Sequence, residues 1–179
     1  KKIYFGDSVH PTYNMLPDYA WLPTGEETYI KSNPGRQRIN IVGVYSPNDQ
    51  SVIAADYETV DANAIVNMLK KIRKANPNNK PLILYLDNAR YNYNKKVSAF
   101  AATLKIELKY LPPYSPNLNL IERLWKYMKK EVLANRYHET FNDFRDECME
   151  FFKRRSALFK KKLTTLMAEN FHLFPVLAN

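Results

Sequence analysis

Two carboxylates in this chain are spaced and framed as ligands of a divalent cation would be. Leu82-Ile83-Leu84-Tyr85-Leu86 is an unbroken apolar run that stops abruptly on Asp87. Bounded by Pro81 and a polar cluster, it reads as a strand buried on both faces. An acid at the end of such a strand sits at the rim of a sheet, where open α/β sheets bind their ligands. Glu122 follows after 34 intervening residues, in the first turn of an amphipathic helix. A hard, octahedral Mg²⁺ ion takes carboxylate oxygens, water and substrate phosphate rather than His or Cys, so acids on two separate elements suit it. A third candidate is Asp7, which ends the short apolar stretch Ile3-Tyr4-Phe5. Asp7 has a plainer reading, as a turn cap with Ser8, His10 and Pro11. Glu122 has one too, as the third helical residue of a capping box begun by Asn119.

The elements that must carry these acids can be read in order. After the strand ending at Asp7, residues 11–35 are loop-rich, and Trp21 there reads as a buried hairpin side chain, with base stacking as the alternative. Ile39 to Tyr45 and Ser51 to Tyr57 are strands around a turn at Ser46-Pro47-Asn48-Asp49, completing a three-strand meander. Asp56 and Glu58 near the end of the third strand are rivals to Asp7 as ligands, ranked lower because that strand is peripheral. Asp61 reads as the N-cap of a helix running to about Ala75, with Ile65, Met68, Leu69 and Ile72 as its buried stripe. Lys70, Lys71, Arg73 and Lys74 near its end suit the helix dipole. The strand to Asp87, helical residues Lys95 to Leu104 and a strand Ile106 to Leu111 follow. Pro112-Pro113-Tyr114-Ser115-Pro116 restricts the loop before the helix of Glu122, whose apolar stripe is Leu124, Trp125, Met128 and Val132. Thr140 and Asp143 cap a further helix with Phe141, Phe144, Cys148, Phe151 and Phe152 inward. The expected class is α/β, a mixed sheet flanked by helices.

Composition narrows the partners. At 179 residues with 45% hydrophobic content, the chain is long enough to bury the core of one domain. Its formal charge of +9 points to a polyanionic partner, nucleic acid being the commonest, with simple solubility as the alternative. Candidate phosphate contacts are Lys31, Arg36 and Arg38 in a basic turn, and Arg123, Lys126, Lys129 and Lys130 on the helix of Glu122. Pairing of these lysines with Glu122 and Glu131 is the competing reading. Lys153-Arg154-Arg155 and Lys160-Lys161-Lys162 make a basic tail suited to DNA, to a second subunit or to solvent alone. Cys148 is the only cysteine, which excludes an intrachain disulfide and a cysteine-built zinc site. No apolar run approaches a membrane span, and Lys1-Lys2 leads straight into a strand, so a reducing cytoplasm and no membrane partner are expected.

The stretch LYLDNARYN, followed by YLPPYSPNLNLIERLWKYMKK, resembles the catalytic domain of mariner-type insertion-sequence transposases, the DDE (Asp-Asp-Glu) superfamily endonucleases. The gap between Asp87 and Glu122 is that family's usual one. The resemblance runs from Asp7 to about Arg136 and implies a ribonuclease H-like fold, with Asp7, Asp87 and Glu122 as catalytic metal ligands. It departs from the family at Ser8, where many relatives carry Glu. It further implies two Mg²⁺ ions, replaceable by Mn²⁺, with Asp87 shared between them, Asp7 on one and Glu122 on the other. Two such ions clamp the attacking and leaving oxygens of an in-line displacement at phosphorus. Asn88 matches the family's Asp-Asn pair and is expected to orient Asp87 from outside the ligand set.

The implied activity is DNA cleavage and strand transfer at transposon ends, on double-stranded transposon and target DNA, by a homodimer in a bacterial, nucleoid-associated setting. The competing readings are a ribonuclease H-like nuclease or resolvase that cuts without joining, and a domesticated DNA-binding module without catalysis. Residues 1–139 are expected to form the catalytic core and 140–179 a basic helical extension packed on it. Relatives carry a helix-turn-helix region ahead of the first catalytic strand. This chain starts almost at that strand, so it is expected to be a fragment lacking that region.

Overall fold

The structure is a computed structural model that describes residues 1–18, 24–25, 29, 31–33, 35–113, 118–154 and 157–167. Trp21 and the loop residues Tyr114 to Pro116 lie outside them. The strands are β1 (Lys2–Val9), β2 (Asn40–Ser46), β3 (Ser51–Tyr57), β4 (Leu82–Leu86) and β5 (Ile106–Tyr110), and the helices α1 (Ala62–Ala75), α2 (Lys95–Thr103), α3 (Leu120–Val132), α4 (Phe141–Lys153) and α5 (Ala157–Leu166). They form one mixed sheet in the order β3-β2-β1-β4-β5. The first three strands are an antiparallel meander, while β1 with β4 and β4 with β5 pair parallel.

Alternation of side chains along the strands divides the core in two. Tyr4, Val42, Val44, Leu82, Leu84 and Leu86 face α1 and α2. Val9, Ile41, Tyr45 and Val52 face α3, α4 and α5. The expected β2, β3 and β5 differ from the observed strands by at most one residue at an end. β4 departs from expectation in burial: Ile83 and Tyr85 are only half-buried, because α3 lies over β1 and β2 and leaves that side of β4 partly open. Tyr85 is covered there by Phe5, the rings stacking at 5.3 Å.

Local chemistry accounts for the helix starts. Asp61 caps α1 by accepting from the Ala64 amide at 2.9 Å, and Thr140 with Asp143 closes a full capping box on α4. Arg73, in the last turn of α1 as expected of a dipole complement, also ties that helix to its neighbours, donating to the carbonyls of Asn76 and Lys80 and to that of Leu104 beside β5. The capping box that was the competing reading of Asn119 and Glu122 does not form, since Asn119 makes no side-chain cap. Its amide donates instead to the Gly6 carbonyl on β1 at 3.3 Å, pinning the start of α3 to the sheet.

Farther along α3, the indole of Trp125 lies directly on Gly43. A Cβ at that position would sit 2.5 Å from Trp125 Cη2. The large ring is 5% exposed and wedged against Phe152, so it cannot swing clear. Gly43→Ala is therefore expected to lift α3 from the sheet at a cost of about 1–3 kcal/mol. Thermal unfolding should drop by several degrees with a shift in tryptophan emission; an unchanged melt and spectrum would show that the contact is slack.

Candidate active site

The parallel register brings the two aspartates together. Lys2, Ile3, Tyr4 and Phe5 lie opposite Leu82, Ile83, Leu84 and Tyr85. The same offset, carried two residues on, aligns Asp7 with Asp87. Both then project from the sheet face of Phe5 and Tyr85, the side on which α3 packs. Asp7 was expected to end β1, but the strand continues to Val9 because β2 keeps pairing with it, Gly43 lying opposite Asp7. Asp7 is thus held mid-strand rather than in a turn, and Asp87 lies just past the last residue of β4.

Each carboxylate has a different setting. Asp7 is largely enclosed. Its Oδ1 accepts from the Ser8 amide at 2.6 Å and its Oδ2 from the Trp125 indole N–H at 3.1 Å. Burial pushes its pKa from 3.8 up to about 6, with further upward pressure from the charges of Asp87 and Glu122. Glu122 sits in the first turn of α3, exposed, and no hydrogen bond or ion pair to another described residue engages its carboxylate. Its pKa is also raised, by desolvation and then by Asp87. Asp87 Oδ1 accepts from the Asn92 amide at 2.6 Å and from the Ala89 backbone at 3.2 Å.

The charges of Asp87 and Glu122 push Asp7 up, and that of Asp87 pushes Glu122 up, as carboxylates gathered near one another do. The donor set is all oxygen, as Mg²⁺ or Mn²⁺ requires. Among the described residues no three acidic, His or Cys side chains converge on a shared point. Mg²⁺ is commonly held by one or two carboxylates, with water and substrate phosphate making up the rest.

Asn88 does not orient Asp87. Its amide donates to the Leu111 carbonyl at 2.8 Å and its oxygen accepts from the Tyr93 hydroxyl, so it ties the ends of β4 and β5 instead. Asn92, in the short 3-10 turn after Asp87, makes that contact, and sequence reading missed it. Trp125 was read only as core, and its bond to Asp7 was also missed. Of the rival ligands, Asp56 is engaged by Arg145 Nε at 2.6 Å, and Glu58 lies exposed beyond the end of β3.

The candidate phosphate contacts divide. Lys126 and Lys130 are exposed on α3, Lys129 is half-buried, and none forms the pair with Glu122 or Glu131 that was the competing reading. Glu131 is met by Arg154 at 3.4 Å and Lys162 at 3.6 Å. Arg123 is drawn to α5, donating to the Leu166 carbonyl at 3.1 Å. Arg36 and Arg38 are exposed, and Lys31 lies 5.9 Å from the Tyr137 ring centre.

The raised pKa of Asp7 has a consequence for the metal-free protein. The folded state holds a proton that the unfolded chain releases near pH 3.8, so Asp7 favours folding most below that pH. This stabilisation is lost as pH rises through about 6. Chemical denaturation from pH 4 to 7.5 should show a decline of about 1–3 kcal/mol, most of which Asp7→Asn removes, leaving the smaller part due to Glu122. An identical slope in the variant would assign the decline to other groups.

Residues 2–145 match the family model of the DDE superfamily endonucleases. The uncharacterized protein y4pE/y4sA of Sinorhizobium fredii (strain NBRC 101917 / NGR234) is 30% identical over 88 residues, covering 49% of this chain and 63% of that protein. Among solved structures, the Mos1 transposase paired-end complex with left transposon end superposes with a TM-score of 0.68 at 19% identity, over 92% of this chain and 52% of that one. The Mos1 transposase catalytic domain with Raltegravir and Mn gives 0.64 at 16% identity, over 92% and 77%. The chain thus spans about half the length of the transposase in the paired-end complex. These likenesses establish the ribonuclease H-like fold expected from sequence. Among the described residues no helix is long and apolar enough to cross a membrane. With most of its length matched to the family model, the chain belongs to the DDE superfamily endonucleases.

Proposed function

We propose that this chain is the catalytic domain of a DNA transposase, with Asp7, Asp87 and Glu122 as the catalytic carboxylates holding two Mg²⁺ ions, or Mn²⁺ in their place. The observation that carries the reading is the register that aligns Asp7 with Asp87, together with the electrostatic coupling of both to Glu122. The chemistry supplied by bound divalent cations is Lewis acidity, toward an attacking water or 3′-hydroxyl and toward the leaving oxygen. The chain's own part is positioning. Asp7 is held by the Ser8 amide and the Trp125 indole, so its oxygens have a fixed direction. Glu122 rides on a helix pinned through Asn119 to β1, one residue before Asp7. Such fixed placement matters because misplacing a reacting group by about 1 Å can cost about a hundredfold in rate.

The substrate in this reading is double-stranded DNA, both transposon end and target. Exposed Lys126, one helical turn after Glu122, suits the phosphates flanking the scissile bond, and Lys129, Lys130, Lys31, Arg36 and Arg38 suit more distant ones. Arg123 is a weaker candidate because its guanidinium is turned to α5. In this reading the chain acts as a homodimer on two ends, in keeping with its likeness to a paired-end transposase complex, and in a bacterial, cytoplasmic setting, in keeping with its Sinorhizobium fredii relative. Residues 1–139 would form the catalytic core. The extension from residue 140 buries Phe144, Cys148, Phe151 and Phe159 in the same cluster as Trp125, which supports its packing on that core.

The test is Mn²⁺-dependent nicking of supercoiled plasmid, followed by analysis of products on an oligonucleotide end. Asp87→Asn should reduce nicking to background while thermal stability stays level or rises, because a repulsive charge is removed. A large stability loss in that variant would make Asp87 structural and sink the proposal. Joined products identify a transposase, and nicks without joining favour a simple nuclease.

A further inference from the structure

Asn92 is 2% exposed, yet it is not satisfied as a buried amide should be. Its Nδ2 donates to Asp87 Oδ1 at 2.6 Å and more weakly to the Asp87 carbonyl at 3.3 Å. Its Oδ1 is buried with no partner among the described residues, and the residue lines a small, largely apolar cavity with Gly6, Val44, Met68, Leu84 and Leu86. Turning the amide over would press its oxygen against that of Asp87, so this orientation is the one the carboxylate allows. The backbone of Asn92 is fixed at both ends, its N–H donating to Ala89 at 2.9 Å and its carbonyl accepting from the Tyr110 hydroxyl at 3.0 Å. A group chosen for stability alone would not leave a buried acceptor open, since that costs free energy and an apolar side chain of the same size avoids it.

We infer that Asn92 is the positioning residue of Asp87: it occupies Oδ1 with a permanent, uncharged donor and so directs Oδ2 toward the cation and the phosphate. The amide is suited to this because it cannot ionise and adds no charge to a site already rich in negative charge. Asp7 is treated in the same way by the Trp125 indole, so each aspartate has an uncharged N–H donor supplied by a side chain. The inference rests on the metal-site reading proposed above. It differs from the sequence expectation, which gave this role to Asn88.

The experiment is calorimetric titration of the protein with Mn²⁺ at a temperature where every variant is fully folded, alongside thermal unfolding. Asn92→Leu keeps the number and branching of the heavy atoms, removes the donor and removes the unpaired oxygen. Mn²⁺ affinity should fall about 10–100-fold, the usual effect of losing a group that orients a ligand, while the melting temperature stays level or rises. Val97→Ala, a buried truncation in α2, lowers the melting temperature and leaves the affinity unchanged, separating general loosening from loss of positioning. An Asn92→Leu protein that binds Mn²⁺ within about threefold of the parent overturns the inference, whatever its stability. Should Asn92→Leu fail to fold, Asn92→Ala is read by the same criterion. If the unaltered protein binds no Mn²⁺, both the inference and the metal-site reading fall. If it binds and Asp87→Ala does not while Asn92→Leu does, only the inference falls.

Discussion

The parallel pairing of β1 with β4 is the constraint on which the rest depends. It sets two carboxylates side by side, which charge repulsion opposes, and among the described residues no Lys or Arg forms an ion pair with either. The alignment persists because it is fixed elsewhere. Tyr4 and Leu84 are buried on one face of the pair, and Phe5 stacks on Tyr85 on the other. A slip by one residue would send Asp7 into the α1 side and Tyr4 out of the core, exchanging apolar burial for a buried charge. The energy that holds the acids together is thus spent in packing two to five residues away from them.

Docking of α3 adds the third acid and reads the same register. Asn119 grips the Gly6 carbonyl, and a turn and a half later Trp125 settles on Gly43, the residue opposite Asp7. Gly6 is itself enclosed by Leu86, Leu84 and Val44, so a side chain there would press on the opposite core. Helix and sheet meet through two glycines and one indole, and the indole N–H that secures the packing also holds an oxygen of Asp7. Stability and site geometry therefore share an atom, and they are not separable at that position.

Much of this was legible in the chain. β4 is visible as an apolar run cut off by Asp87, α1 as a stripe between an Asp cap and a basic end, and Asp87 and Glu122 stand out by context and spacing. What escaped was set by pairing between distant segments. Nothing local says that β1 outlasts Asp7, since only the presence of β2 extends it. Asn119 and Glu122 satisfy the capping-box pattern, but a carbonyl on β1 competes for the asparagine and wins. Asn88 and Asn92 both follow Asp87 closely; the 3-10 turn brings the second back to the carboxylate and sends the first to Leu111. Polar side chains with several available partners are decided by tertiary geometry, while apolar stripes are decided by periodicity.

The central claim is that Asp7, Asp87 and Glu122 form one cation site. Anomalous diffraction from crystals grown with Mn²⁺ and a DNA duplex addresses it most directly. Mn²⁺ peaks coordinated by oxygens of these three residues and by a DNA phosphate are expected, with Asp87 contributing Oδ2. Peaks confined to other acids, such as Glu58, or carboxylates of Asp7, Asp87 and Glu122 that splay apart with DNA in place, would contradict it.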